Sequence, residues 1–382
     1  MKRAIVIVLD SVGIGHAPDA EAFGDLGADT LCNTVKATGV ELPNMTRLGL
    51  GNINGVDCID PQDEPAAAYG RMIEVSQGKD TTIGHWELAG LQIDHPLPTY
   101  PDGFPAEVMD AFHQAIGRES LVNKPYSGTE IIAEYGEEHM RTGKPIVYTS
   151  NDSVFQIAAH EDVIPIEQLY DMCQKARDIL TGEHAVARVI ARPFIGQPGK
   201  FQRTANRRDY SLSPFEDTVL DQLKASGYEV ISVGKIEDIY NGQGITSGHH
   251  IDSNLDGIKQ TIELMKTTFQ GLLFVNLVDF DAVYGHRRNP QGYADALRQF
   301  DDYLPEIIDS MEMEDLLIIT ADHGNDPTFH GTDHTRETVP ILIYGKQHPS
   351  KNLGDIKGFY ALAATLADYF VVKGTGRGES LL

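Results

Sequence analysis

The strongest constraint on this chain is a recurring pattern of short apolar runs, each closed off by turn residues. Ala4–Leu9 (AIVIVL), Pro145–Thr149 (PIVYT), Val186–Ala191 (VARVIA), Glu229–Val233 (EVISV), Gly271–Val278 (GLLFVNLV), Leu316–Thr320 (LLIIT) and Val339–Tyr344 (VPILIY) all have strand length. Most lack the alternation of a strand with one wet face, so they predict strands covered by helices on both sides. Helical patterns fall between them at Ser213–Ser226, Ser253–Phe269, Tyr293–Met311 and Lys357–Phe370. The first opens S-P-F-E, which predicts Ser213 as N-cap, Pro214 at the first helical position and Glu216 at the third. Alternation of this kind points to an α/β fold with a mainly parallel sheet. At 382 residues, 41% hydrophobic and 23% charged, the chain has room for two or three domains and the composition of folded ones.

Acidic side chains outnumber basic ones 56 to 31, a formal charge of −25. Such a chain is a poor partner for nucleic acid or an anionic membrane, where Lys and Arg must neutralise phosphates. One stretch departs from this balance: His184–Arg208 carries Arg188, Arg192, Lys200, Arg203, Arg207 and Arg208 and no acid. Arginine forks fit phosphate oxygens, although charge alone does not separate an anion site from a basic surface. Three scattered cysteines, Cys32, Cys58 and Cys173, predict neither a disulfide framework nor a thiolate metal site, and fit a reducing compartment. The apolar run near the start ends at Asp10, too short for a signal peptide or membrane span. The expectation is a soluble cytoplasmic protein.

Ligands of open α/β sheets bind beyond the carboxyl ends of the strands. The residues that follow the apolar runs are therefore informative. Asp10 follows the first; Asp279 and Asp281, then His286, follow Gly271–Val278; Asp322 and His323 follow Leu316–Thr320, with His334 in the polar loop beyond. Lys235 follows Glu229–Val233. A single Asp after a strand is ordinarily a turn residue or a helix cap. Carboxylates and imidazoles delivered together, without thiolates, are a ligand set for Mn, Zn or Mg, and there are enough for two ions. Two adjacent cations suit phosphoryl transfer and can activate a hydroxyl nucleophile. Thr81 and Thr82, in G-K-D-T-T-I-G-H-W-E-L-A-G, sit where a loop gives way to a helix and are both candidates, with helix N–H groups suited to a phosphate. The alternative is that one of them only caps the helix.

Four segments resemble a known family. D-S-V-G-I-G-H-A-P-D-A from Asp10, G-K-D-T-T-I-G-H-W-E from Gly78, V-D-F-D-A-V-Y-G-H-R-R from Val278 and T-A-D-H-G-N-D-P-T from Thr320 look like the metal-dependent phosphopentomutases of the alkaline phosphatase superfamily. The resemblance runs from end to end. It implies an alkaline-phosphatase-like core, residues 1–93 and 214–382, with an inserted α/β cap domain at 94–213. It implies that Asp10, Asp322 and His323 hold one cation and that Asp281, His286 and His334 hold another. Thr81, rather than Thr82, becomes the phosphoryl carrier. Position 83, commonly Thr in the family, is Ile here. Ser150, Asp152, Arg192, Arg207 and Lys235 match substrate-binding positions. The implied cofactors are two Mn²⁺ per chain, with Zn²⁺ or another divalent cation as substitutes and a sugar bisphosphate activator left open. The implied substrates are ribose and deoxyribose phosphates, interconverted through a phosphothreonine enzyme and a 1,5-bisphosphate. A phosphomonoesterase on the same core and a non-catalytic metal- or anion-binding protein are the alternatives. The sequence leaves the oligomeric state open.

Overall fold

A computed structural model describes residues 2–150 and 153–382. Among these the strands are, in chain order, β1 (Arg3–Leu9), β2 (Ala68–Ile73), β3 (Leu121–Pro125), β4 (Ile146–Thr149), β5 (Val154–His160), β6 (Arg188–Ile195), β7 (Gln202–Arg203), β8 (Arg208–Ser211), β9 (Glu229–Val233), β10 (Ser247–His249), β11 (Gly271–Leu277), β12 (Leu316–Thr320), β13 (Val339–Tyr344) and β14 (Asn352–Lys357). The chain divides into two compact units: residues up to Pro96 together with Pro214–Leu382, and the inserted Leu97–Ser213. The fold class is α/β.

The larger unit is built on one sheet in the order β10-β9-β11-β1-β12-β13-β2-β14. Every residue of β1, β11 and β12 is buried. Helices cover both faces of such strands, so a run of apolar side chains is stable there without alternation. Pairing is parallel from β10 through β12 and between β2 and β14, while β13 runs antiparallel to both β12 and β2. That reversal has a consequence for the site. The loop at 321–338 leaves β12 and enters β13 at the same edge of the sheet. β2 is antiparallel to β13 and so points its carboxyl end to that edge too. The carboxyl ends of β1, β2, β9, β11 and β12 and both ends of the 321–338 loop thus converge.

The inserted unit has its own sheet, β3-β4-β5-β6-β7 with β8 also on β6, of mixed direction. Helix Ile166–Ile179 packs against β5, β6 and β8, and helix Glu130–Thr142 against β5. Two apolar clusters result. One contains Phe112, Phe155, Leu169 and Val189, and the other Ile131, Ile146, Ala158 and Phe194.

Two expectations need correction. The helix expected from Ser213 begins at Val219, capped by Thr218, whose hydroxyl accepts from Leu220 N–H while Asp221 accepts from Thr218 N–H. A Thr-x-x-Asp box at the helix start outcompetes the Ser-Pro signal five residues earlier, since it satisfies two otherwise orphaned donors. The cysteines are not all unpaired: Cys32 and Cys58 form a disulfide, their Cα atoms 5.3 Å apart. The fold carries the loop containing Cys58 back against helix Thr30–Thr38, a proximity that a separation of 26 residues does not reveal. Cys173 is free and buried. Among the described residues no helix is long and apolar enough to cross a membrane.

Candidate metal centre and arginine cluster

The convergent strand ends bring the six expected carboxylates and imidazoles together in two adjoining groups. In each of Asp10–Asp322–His323 and Asp281–His286–His334, one ligand-type atom per residue lies within 4.8 Å of the others. His323 Nε2 is 3.5 Å from Asp10 Oδ1 and 3.3 Å from Asp322 Oδ2. Asp281 is 3.2 Å from His286 Nε2 through Oδ2 and 3.3 Å from His334 Nε2 through Oδ1. The rings of His323 and His334, one from each group, have centroids 4.2 Å apart. Asp281 lies on a single turn of π-helix, Phe280–Gly285, a distortion often found at functional sites.

The three carboxylates are held by amide donors. Asn276 Nδ2 donates to Asp10 Oδ2 (2.9 Å), Ser11 N–H to Asp322 Oδ1 (3.0 Å) and Asn325 Nδ2 to Asp281 Oδ1 (2.7 Å). His286 Nδ1 donates to Thr332 O and His323 Nδ1 to Gly324 O, which leaves both Nε2 atoms facing the cluster. Asp10 Oδ1 and His334 Nε2 are buried with no hydrogen-bond partner. Burial and the neighbouring carboxylates of Asp322 and Asp281 push Asp10 up to about 7. Burial alone would lower His323, but Asp322, Asp281 and Asp10 push it up to about 9. So much buried negative charge and so many inward-facing lone pairs are costly for the protein alone. Divalent cations fit both groups, and oxygen and imidazole donors without sulfur suit Mn²⁺ or Zn²⁺.

Thr81 is the first residue of helix Thr81–Leu88, with its Oγ1 3.0 Å from His323 Nε2. The capping alternative fails for both threonines, because Asp80 is the cap: its carboxylate accepts from Thr82 and Ile83 N–H. The same bonds correct the expectation of free helix amides for a phosphate, since Asp80 already occupies those two. Gly84 permits the close approach of this helix to the cluster. A Cβ there would lie 2.0 Å from the carbonyl oxygen of Asp322. Buried His85 extends Nδ1 to Thr81 O (2.9 Å) and to within 3.0 Å of Asp322 Oδ2, joining the Thr81 segment to the cluster.

Lys235 lies two residues past β9 at the same edge and lines a cavity of about 280 Å³ with Asp238, His250 and Asp252, and its ammonium partly opposes the upward shift of Asp10. Asp279 does not join the cluster. It exchanges hydrogen bonds with Asn254, accepting at 2.7 Å and donating at 2.9 Å, at the start of helix Asn254–Met265.

Arg192 and Arg207 come together on the sheet of the inserted unit. Arg192 Nε donates to Gln156 Oε1 (3.1 Å), and Arg207 makes a two-pronged pair with Asp209, both bonds 2.7 Å. Burial and the nearby guanidinium groups of Arg207 and Arg203 lower Arg192. The hydroxyl of buried Tyr148 has no hydrogen-bond partner and lies in the field of all three arginines. Ser150 follows β4, and Asp152 lies outside the described residues. Sequence reasoning missed Tyr148 and Gln156 as members of this group and named Arg203 only as one cation of the basic stretch. It also missed Asn276, Asn325 and His85 in the core. Only Asn276 carried a visible signal, a carboxamide inside an otherwise apolar strand.

Residues 2–374 match the model of the Metalloenzyme superfamily. The chain is 57% identical over 382 residues to a phosphopentomutase from Alkaliphilus metalliredigens, covering 100% of this chain and 98% of that one. It is 59% identical over 383 residues to a phosphopentomutase from Caldanaerobacter subterraneus subsp. tengcongensis, with the same coverage. A Leishmania mexicana phosphoglycerate mutase structure shares the fold at a TM-score of 0.50 and 12% identity, over 99% of this chain and 96% of that one. With this identity along its whole length, and with the superfamily's match spanning its metal-type cluster, the chain belongs to the phosphopentomutase family.

Proposed function

We propose that this protein interconverts α-D-ribose 1-phosphate and ribose 5-phosphate, and the corresponding 2-deoxyribose pair, through a phosphorylated Thr81 and a sugar 1,5-bisphosphate. As a member of its family it is an isomerase. The observation that carries the finer reading is the hydroxyl of Thr81 at the rim of a carboxylate–imidazole cluster, with its helix capped by another residue.

Asp10, Asp322 and His323 would hold one divalent cation, Mn²⁺ in this reading, and Asp281, His286 and His334 a second. Bound there, the ions would neutralise charge on Thr81 Oγ1 and on the phosphoryl oxygens. Thr81 carries the phosphoryl group at rest. In the first transfer its Oγ–P bond breaks and a bond forms to the free hydroxyl of the sugar monophosphate. The proton of that hydroxyl ends on Thr81 Oγ1. The bisphosphate then presents its other phosphate to Thr81, which takes up that group and returns a proton to the sugar oxygen. Ser11, Asn276 and Asn325 keep the carboxylates from rotating, so the site need not reorganise during transfer. Arg192 and Arg207 bind the phosphate not in transfer, with Ser150, Asp152 and Lys235 as further sugar-phosphate contacts. Holding that end fixes the attacking oxygen in line with phosphorus.

Thr81→Ala tests the nucleophile. Mutase turnover and the phosphoryl mass increment on the peptide containing position 81 should both vanish, while metal content stays at the wild-type level. Turnover retained by the variant would overturn the assignment of Thr81.

A further inference from the structure

The 321–338 loop supplies Asp322, His323 and His334; its base is pinned by single antiparallel bridges, Gly324 with Thr335 and Glu337 with His16, but its tip between them is irregular, and Thr328 and residues 330–333 are exposed. Long irregular loops do not hold a ligand in place by themselves. His334 must nevertheless meet His286 and Asp281, which come from the turn after β11. One guanidinium joins the two segments. Arg288 Nη1 donates to Gly285 O (2.9 Å) on the turn and to Asp326 O (3.0 Å) on the loop. Its Nε donates to Gly331 O (2.6 Å) and its Nη2 to Asp333 O (3.0 Å), beside His334. Nη1 also lies 2.5 Å from Asn325 Oδ1, and Asn325 uses its other end to hold Asp281 Oδ1. Loop docking brings Thr332 O within 2.7 Å of His286 Nδ1, which fixes that ring's tautomer.

We propose that Arg288 is a positioning residue that assembles the Asp281–His286–His334 cation site. It does so by clamping the loop onto the turn and orienting Asp281 through Asn325. This rests on the reading that those three residues hold a cation. Two further observations favour it. Arg288 adopts a left-handed backbone conformation, φ 50°, that Gly or Asn would take at less cost, so the position is occupied for its side chain. Lysine could not replace it, because three nitrogens of one planar fork serve separate carbonyls. A further tie in this stretch, Lys79 Nζ to Asp333 Oδ2 at 3.2 Å, touches neither Asn325 nor the turn.

The Asp10–Asp322–His323 group has its own support in Asn276, so the two groups can be perturbed separately. Calorimetric titration of the metal-free full chain with Mn²⁺ tests the inference, with far-UV circular dichroism as a check on folding. Wild type should bind two ions per chain. Arg288→Lys should weaken one of the two binding steps about 10–100-fold and spare the other. Asn325→Ala, a milder change, should weaken the same step, and Asn276→Ala the other. The inference is overturned if Arg288→Lys and Asn325→Ala leave both steps unchanged, or if Arg288→Lys weakens the step that Asn276→Ala weakens. A wild-type chain that binds fewer than two ions would instead overturn the two-cation reading on which it rests.

Discussion

The carboxylate–imidazole cluster of the core and the arginine cluster of the inserted unit are made in different ways. The core cluster is a product of topology. Parallel strands with buried, featureless interiors release their functional residues only at their ends, and an antiparallel β13 returns a long loop to the same edge. Asp10, Asp281, Asp322 and His323 are buried, His286 and His334 are half-buried, and each of the three carboxylates accepts a hydrogen bond from a neighbouring amide. The arginine cluster is a product of side-chain alternation across neighbouring strands. Tyr148, Gln156 and Arg192 share a sheet face, with Arg203 and Arg207 at its margin, half-buried or exposed. A rigid, desolvated arrangement suits groups that must stabilise charge with little reorganisation. A half-wet set of long side chains suits a substrate that must bind, turn and leave.

Perturbing each side of this contrast should give different kinetic signatures. Arg192→Ala has the largest expected effect in the inserted unit. Loss of a charge-assisted contact to phosphate is worth about 1.5–3 kcal/mol, or roughly 10–150-fold. It should appear in steady-state kinetics mainly as a raised KM for ribose 5-phosphate, with Mn²⁺ binding untouched. An unchanged KM would remove Arg192 from the phosphate site. Arg203→Ala should act in the same direction but only about two- to fivefold, since an exposed charge contributes roughly 0.5–1 kcal/mol. An effect equal to that of Arg192→Ala would mean that exposure does not grade these arginines.

The smallest effect concerns pH and the inserted unit alone. His139 is buried between helix Glu130–Thr142 and β5, where it donates from Nδ1 to Lys144 O and accepts from His160 N–H at Nε2. Only the neutral ring can do both, and burial lowers its pKa from the usual 6.5. Its contribution to stability is present above about pH 6.5 and is lost as pH falls through the lower folded value. Thermal unfolding of this unit should therefore shift to lower temperature on acidification below about pH 6.5, and His139→Gln should flatten that dependence. The same slope in variant and wild type would assign the loss to other groups.

The contrast also explains what could be read in the sequence. Strands buried on both faces announce themselves as apolar runs, and residues just past their ends stand out as polar after apolar. Hence Asp10, Asp281, Asp322 and Lys235 could be picked out by position. β2 and β14 escaped notice, because one alternates buried and half-buried residues and the other is largely exposed, and β5 escaped although wholly buried, because Gln156 and His160 interrupt its apolar run. The supporting bonds were invisible, since Asn325 and Arg288 matter only through a contact across 37 residues that requires the folded loop. The arginine stretch was legible as charge but not as geometry. Nothing in Y-T-S shows that Tyr148 places an unpartnered hydroxyl among three guanidinium groups, and nothing in D-T-T shows that Asp80 takes the cap.

In the proposed reaction the phosphoryl group passes between sugar oxygens by way of the protein and is not lost to water. Phosphorus NMR of the Mn²⁺-loaded full chain with ribose 1-phosphate tests it directly. Ribose 5-phosphate should accumulate without a matching rise in inorganic phosphate. Inorganic phosphate as the only product would contradict it and make the protein a phosphomonoesterase.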